Sequence, residues 1–205
     1  MKNMSSKRSI IAIIPLSLAL AGYGFTLIDS QPPAAIYDIS APNVSKDGER
    51  VPWQLIVEEP GTVRALSTNR ITLVRDGNSI QYFKDARWTD RGPRLIQARL
   101  IETLENTGRI DAVGRETSGL NADIRLKSEL RSFQAVYGSG QVPTIKVELS
   151  TKLVSSKSRE VLAAEVFSAS SKADSGRIAD IVAAFDEALG DVAIQMSDWA
   201  FANGE

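Results

Sequence analysis

From Ile124 to Ser170 the sequence alternates between apolar and polar residues in three successive stretches, and this constrains the fold more than any other feature of the chain. Ile124, Leu126 and Leu130 alternate with Arg125, Lys127, Glu129 and Arg131, while Ile145, Val147, Leu149 and Leu153 alternate with Lys146, Glu148 and Lys152. A period of two sends successive side chains to opposite faces of a strand, so both stretches read as half-buried antiparallel strands, apolar on one face and charged on the other. Gly138-Ser139-Gly140 serves as a hairpin loop between strands, with no Gly-Lys-Ser/Thr after it and no strand-to-helix context for a nucleophile elbow. The turn Ser155-Ser156-Lys157-Ser158-Arg159 leads into a third strand over 161–170. The three strands form a β-meander whose apolar face needs a cover.

The C-terminal segment supplies it. Ile178, Val182, Phe185, Leu189, Val192, Met196 and Trp199 recur at steps of four and three, which predicts one long helix over 176–201. Ile181, Ala188 and Ala193 widen the stripe beyond a coiled-coil seam, favouring docking on the domain's own sheet over self-association. A second amphipathic helix is predicted over 93–107, with Pro93 at its first position, Leu95, Ile96, Leu100, Ile101 and Leu104 on one face, and Gly108 after its end. Trp53 to Glu58 is a near-continuous apolar run, as expected of a strand covered on both faces. Ile71–Arg75 and Ser79–Phe83 flank Asp76-Gly77-Asn78 and predict a β-hairpin.

The N-terminus reads as an export signal. Lys2, Lys7 and Arg8 precede the apolar run 9–22, which closes on small residues. Leu20-Ala21-Gly22 matches the first three positions of a bacterial lipobox, but Tyr23 stands where the lipid-accepting cysteine belongs, and a phenol cannot replace a thiol in that reaction. Three explanations fit: a cysteine replaced by design, a cysteine lost in the lineage, or cleavage after Ala21 by the general signal peptidase at Ala19-Leu20-Ala21. An uncleaved signal anchor fits less well, because the apolar run is short for a span of roughly 20 residues and Pro15 interrupts it. The expected organisation is a signal peptide over 1–22, a Pro- and Ser-rich tether and irregular lead-in over 23–52 with a short strand at 36–40, and one domain over 53–205.

Composition narrows the chemistry. Without Lys2, Lys7 and Arg8 the 24 basic residues fall to 21 against 25 acidic ones, a balance that argues against nucleic acid as a partner. The chain has no cysteine, so an exported domain of this sequence folds without disulfides. It has no histidine either, which removes the commonest general base and metal ligand; no Ser-His-Asp triad and no Cys/His metal site can form. No cofactor motif is present, and the expectation is a protein that is not an enzyme. Glu58 and Glu59 do not make a catalytic pair, because neighbours on a strand point apart. Asp85, Arg87, Trp88, Asp90 and Arg91 form a denser cluster, read either as a surface that binds something or as a buried tryptophan roofed by local ion pairs.

The ordered string Ile80-Gln81-Tyr82-Phe83-Lys84-Asp85-Ala86-Arg87-Trp88, then Pro93, Leu95-Ile96-Gln97-Ala98-Arg99-Leu100 and Gly108-Arg109, closely resembles the ABC-type transport auxiliary lipoprotein family. The resemblance runs from about Ile36 to Trp199, and Tyr82, Arg87, Trp88 and Pro93 carry its most specific part. It implies an α/β three-layer sandwich with a mixed central sheet, the hairpin, the meander and the two helices. It also implies a non-enzymatic subunit, held by an N-terminal lipid to the outer membrane and facing the periplasm. The implied partners are an MCE-domain substrate-binding protein with its ABC permease and ATPase, which move phospholipid or another hydrophobic solute across the envelope. The resemblance also suggests ring-like partners with several copies and leaves a homo-oligomer open, although no residue fixes a number. Tyr23 departs from the family pattern, which leaves a soluble periplasmic or signal-anchored form open. The competing reading is a free periplasmic carrier that binds a lipid or another ligand itself, which would need an apolar cavity.

Overall fold

The computed structural model describes residues 33–204 apart from Asp76 and Asn78. The expected signal peptide over 1–22, and with it the lipobox positions Leu20, Ala21, Gly22 and Tyr23, lie outside the described residues. The described chain runs β1 (Ala35–Tyr37), β2 (Val51–Val57), β3 (Gly61–Thr62), β4 (Arg70–Arg75), β5 (Ser79–Trp88), α1 (Gly92–Asn106) and β6 (Ile110–Gly114). A short 3-10 turn (Glu116–Ser118), β7 (Ile124–Val136), β8 (Thr144–Ser155), β9 (Val161–Lys172) and α2 (Ile178–Asn203) complete it.

All nine strands join one mixed sheet, and β7 organises it. Along one edge β7 pairs antiparallel with β8, and β8 with β9, which is the expected meander. The other edge of β7 is too long for one partner. Running parallel to it, β2 occupies Ile124–Leu126, β3 Glu129–Leu130, and β4 Ala135–Val136. β6 then adds outside β2, while β5 and β1 add outside β4. The hairpin β4–β5 turns at Gly77, whose φ of 82° lies in the left-handed region that glycine enters without steric cost. Gly108 plays the same part after α1, with φ 65°. The short strands β3 and β6 carry too little periodicity to stand out in the sequence.

The mixed α/β class, the hairpin, the meander and both helices are found as expected. Ile145, Val147, Leu149 and Leu153 of β8 are at most 1% exposed and belong to one apolar cluster with residues of both helices. The helices also pack against each other, so both lie on the same face. The opposite face of β7 and β8 keeps Lys127, Glu129, Lys146 and Lys152 in solvent. Charge on those alternate positions makes it costly to cover them, so this stretch of the sheet stays open.

Aromatic contacts tie α2 across the sheet. Phe185 packs edge-on against Trp88 of β5 and Phe133 of β7, with ring centroids 5.1 and 4.9 Å apart. Trp199 meets Phe167 of β9 at 5.4 Å, and Phe201 meets Trp53 of β2 at 6.1 Å. The lead-in packs as well: Ile39 is 1% exposed in the same cluster, and the Ser40 backbone N–H donates to Asp186 Oδ1 at 2.6 Å.

Candidate functional site

The motif residues on β5 and at the start of α1 divide between surface and core. Trp88 is 2% exposed, wedged between Phe133 and Phe185, and Pro93 is buried in the first turn of α1. Tyr82 is half-buried; its hydroxyl donates to the Ala65 carbonyl at 3.2 Å and Arg70 lies over its ring at 4.0 Å. Arg87, Asp85 and Arg91 are exposed. Arg91 pairs with Glu59 at 2.8 Å and Arg94 with Asp90 at 3.5 Å. Of the two readings of this cluster, the buried tryptophan beside local ion pairs matches the geometry of Trp88, and Arg87 is the motif side chain left at the surface.

Glu58 and Glu59 diverge, as their adjacency on the chain requires. Glu59 reaches Arg91, whereas Glu58 turns to the open face, where its two oxygens lie 3.3 Å from Arg125 and 3.1 Å from Lys127. Beneath α1 the buried Gln97 amide donates to the Val57 carbonyl at 2.9 Å and to Glu116 at 3.0 Å, and the other oxygen of Glu116 accepts from the Glu59 backbone N–H. This network fixes where β2 ends and so where Glu58 points.

Around Glu58 the open face holds a cleft of about 690 Å³. Arg125 and Lys127 come from β7, Lys152 from β8 and Arg159 from the β8–β9 turn, giving four cations to one carboxylate. An adjoining cavity of about 450 Å³ shares Asn121, Ala122, Ser155 and Ser156 with it and is backed by Trp53. The Oγ of Ser156 and the indole N–H of Trp53 are shielded from solvent and lack a hydrogen-bond partner among the described residues. Val154 and Val161 line the first cavity and Leu162 the second.

Sequence reasoning missed this convergence. The alternating cations of β7 were legible as one polar face, but their meeting with Lys152 depends on strand register across the Gly138 to Gly140 loop, and Arg159 reads only as a turn residue. Counting strand pairs outward from that loop would miss the opposed lysines, because a β-bulge between Leu130 and Ser132 shifts the register by one. No group of His, Cys, Asp or Glu among the described residues is arranged to hold a metal ion. No helix among them is long and apolar enough to cross a membrane.

A mixed sheet with two helices on one face and a charged face opposite defines an α/β domain whose chemistry is borne by its surface. The model of the ABC-type transport auxiliary lipoprotein component matches residues 37–197, and the chain belongs to that family. It is 31% identical over 164 residues to an uncharacterised protein of Bradyrhizobium diazoefficiens, bll6063; the match covers 80% of this chain and 44% of that protein, so the chain spans under half of its relative's length. The crystal structure of a Xanthomonas campestris protein of family DUF330, XCC0632, superposes with a TM-score of 0.78 at 26% identity, covering 83% of this chain and 97% of that one. A second solved structure, of an uncharacterised protein, shares the fold with a TM-score of 0.64 at 12% identity over 82% of this chain and 99% of that one.

Proposed function

We propose that the chain is a non-enzymatic periplasmic accessory subunit of an MCE-type ABC transport system that moves phospholipid or another hydrophobic solute across the cell envelope. The family match over 37–197 carries this reading, since it places the chain with auxiliary components of ABC-type transport. The absence of histidine and cysteine supports the non-enzymatic part, because the remaining side chains offer few ways to activate a nucleophile. In this account an MCE-domain protein, the permease and the ATPase are the working parts, and the accessory domain couples them to the outer membrane. A cysteine at position 23 would supply a lipid for that attachment; with Tyr23 the export signal itself or free diffusion in the periplasm takes its place.

The free-carrier alternative requires a cavity that encloses acyl chains. The two clefts described above open to solvent and mix lysine, arginine, serine and asparagine with their aliphatic residues, which favours the accessory reading. The test is lipid traffic in cells that lack the chain: radiolabelled phospholipid exchange between the two membranes should slow to the rate of cells lacking the permease. Removing both should slow it no further. Exchange that is unchanged, or additive slowing in the double deletion, would place the chain outside the system.

A further inference from the structure

The open face carries a charge pattern that folding does not account for. Lys127 stands directly opposite Lys152 in the β7–β8 register, and like charges directly opposite each other weaken a strand pair. Glu58 offsets only part of this charge, through Arg125 and Lys127. Among the described residues no carboxylate lies within salt-bridge distance of Lys152 or Arg159. Arg159 also adopts φ 64°, a left-handed conformation that burdens a residue with a Cβ and that a glycine would take without cost. Strained positions of this kind gather at binding sites.

The apolar side of the cleft is unusual in the same way. Val161, which lines the cleft, is 54% exposed and Leu162, which lines the adjoining cavity, 39% exposed on β9, a long edge strand where natural sequences tend to place charge instead. Cations beside exposed aliphatic surface match an anion that carries a hydrocarbon tail. Phosphate oxygens suit lysine and arginine donors, and the wall offers aliphatic rather than aromatic surface for whatever follows the anion.

We propose that this cleft binds the headgroup of an anionic phospholipid, with Lys127, Lys152 and Arg159 on the phosphate and the acyl chains leaving over Val161 toward the adjoining cavity. The substrate class rests on the lipid-transport reading; the site rests on the cleft itself. The domain then recognises a headgroup at its surface without enclosing the lipid.

Titration calorimetry of the purified full chain tests this directly, because it needs no partner and so fails independently of the accessory role. Short-chain phosphatidylglycerol, kept below its micelle concentration, is expected to bind, with zwitterionic short-chain phosphatidylcholine and soluble glycerol 3-phosphate each about tenfold weaker or more. Lys127→Glu with Lys152→Glu should lower phosphatidylglycerol affinity about tenfold or more, whereas Lys172→Glu at the far end of β9 should leave it unchanged. The neutral pair Lys127→Gln with Lys152→Gln gives the same reading if the charge reversal perturbs folding. Phosphatidylglycerol binding that survives either pair in a folded protein overturns the site. Glycerol 3-phosphate binding as tightly as phosphatidylglycerol overturns the lipid and leaves a free-phosphate site.

Discussion

The two faces of the β7–β8 ladder are built from alternate residues of the same two strands, yet they serve opposite ends. On the covered face Leu126, Leu130, Leu149 and Leu153 are at most 2% exposed and pack beneath the helices. On the open face Lys127 opposes Lys152, and the carboxylate that reaches Lys127 is Glu58, just past the end of β2. The covered face obeys every rule of burial, while the open one gives up cross-strand compatibility for a cluster of positive charge. If the proposed cleft is right, stability resides in one face and recognition in the other, so substitutions should separate along that line.

The largest expected effect is on the covered side. Trp88→Ala removes the ring between Phe133 and Phe185 and should cost about 3–5 kcal/mol in urea unfolding. Its motif neighbour Arg87→Ala should change stability by no more than about 0.5 kcal/mol, which would split the Arg-Trp pair into a core residue and a surface one. Equal losses from both would erase the distinction between the faces at this motif. Gln97→Leu should cost about 1–3 kcal/mol, because Val57 O and Glu116 lose their shared buried donor. The same variant should loosen the end of β2, seen as faster amide exchange at Glu58 and Glu59.

Smaller effects sharpen the open side. Arg159→Gly relieves a left-handed arginine and should raise the unfolding free energy by up to about 1 kcal/mol while weakening phosphatidylglycerol binding. A variant that gains stability and loses affinity marks a position held for recognition; one that loses both does not. The smallest effect is at the start of α2. Hydrogen bonds from Ser175 and then Arg177 hold the Asp180 carboxyl below its usual value. Its folded pKa is depressed, so its contribution is present above the ordinary aspartate pKa of about 3.9 and is lost as pH falls through the lowered folded value. Asp180→Asn should therefore lower stability slightly near neutrality and flatten its further loss on acidification below about pH 4.

How much was legible follows the same division. The long periodic elements β7, β8, β9, α1 and α2 declared themselves, because a buried face imposes its spacing on the sequence over ten residues or more. β6 over Ile110–Gly114 and β3 over Gly61–Thr62 did not, since their burial comes from strands distant in the chain. The cleft was hidden for a different reason. Lys127 and Lys152 lie 25 positions apart and meet only once the register is fixed, and Arg159 becomes notable only through its backbone angle.

Affinity capture from crosslinked envelopes, run on this chain and on Tyr23→Cys, tests the central claim most directly. Co-purification of an ABC permease and ATPase with an MCE-domain protein, enriched in the Tyr23→Cys version, is the predicted result. Recovery of the folded chain with none of these components in either version would contradict the assignment as an accessory subunit.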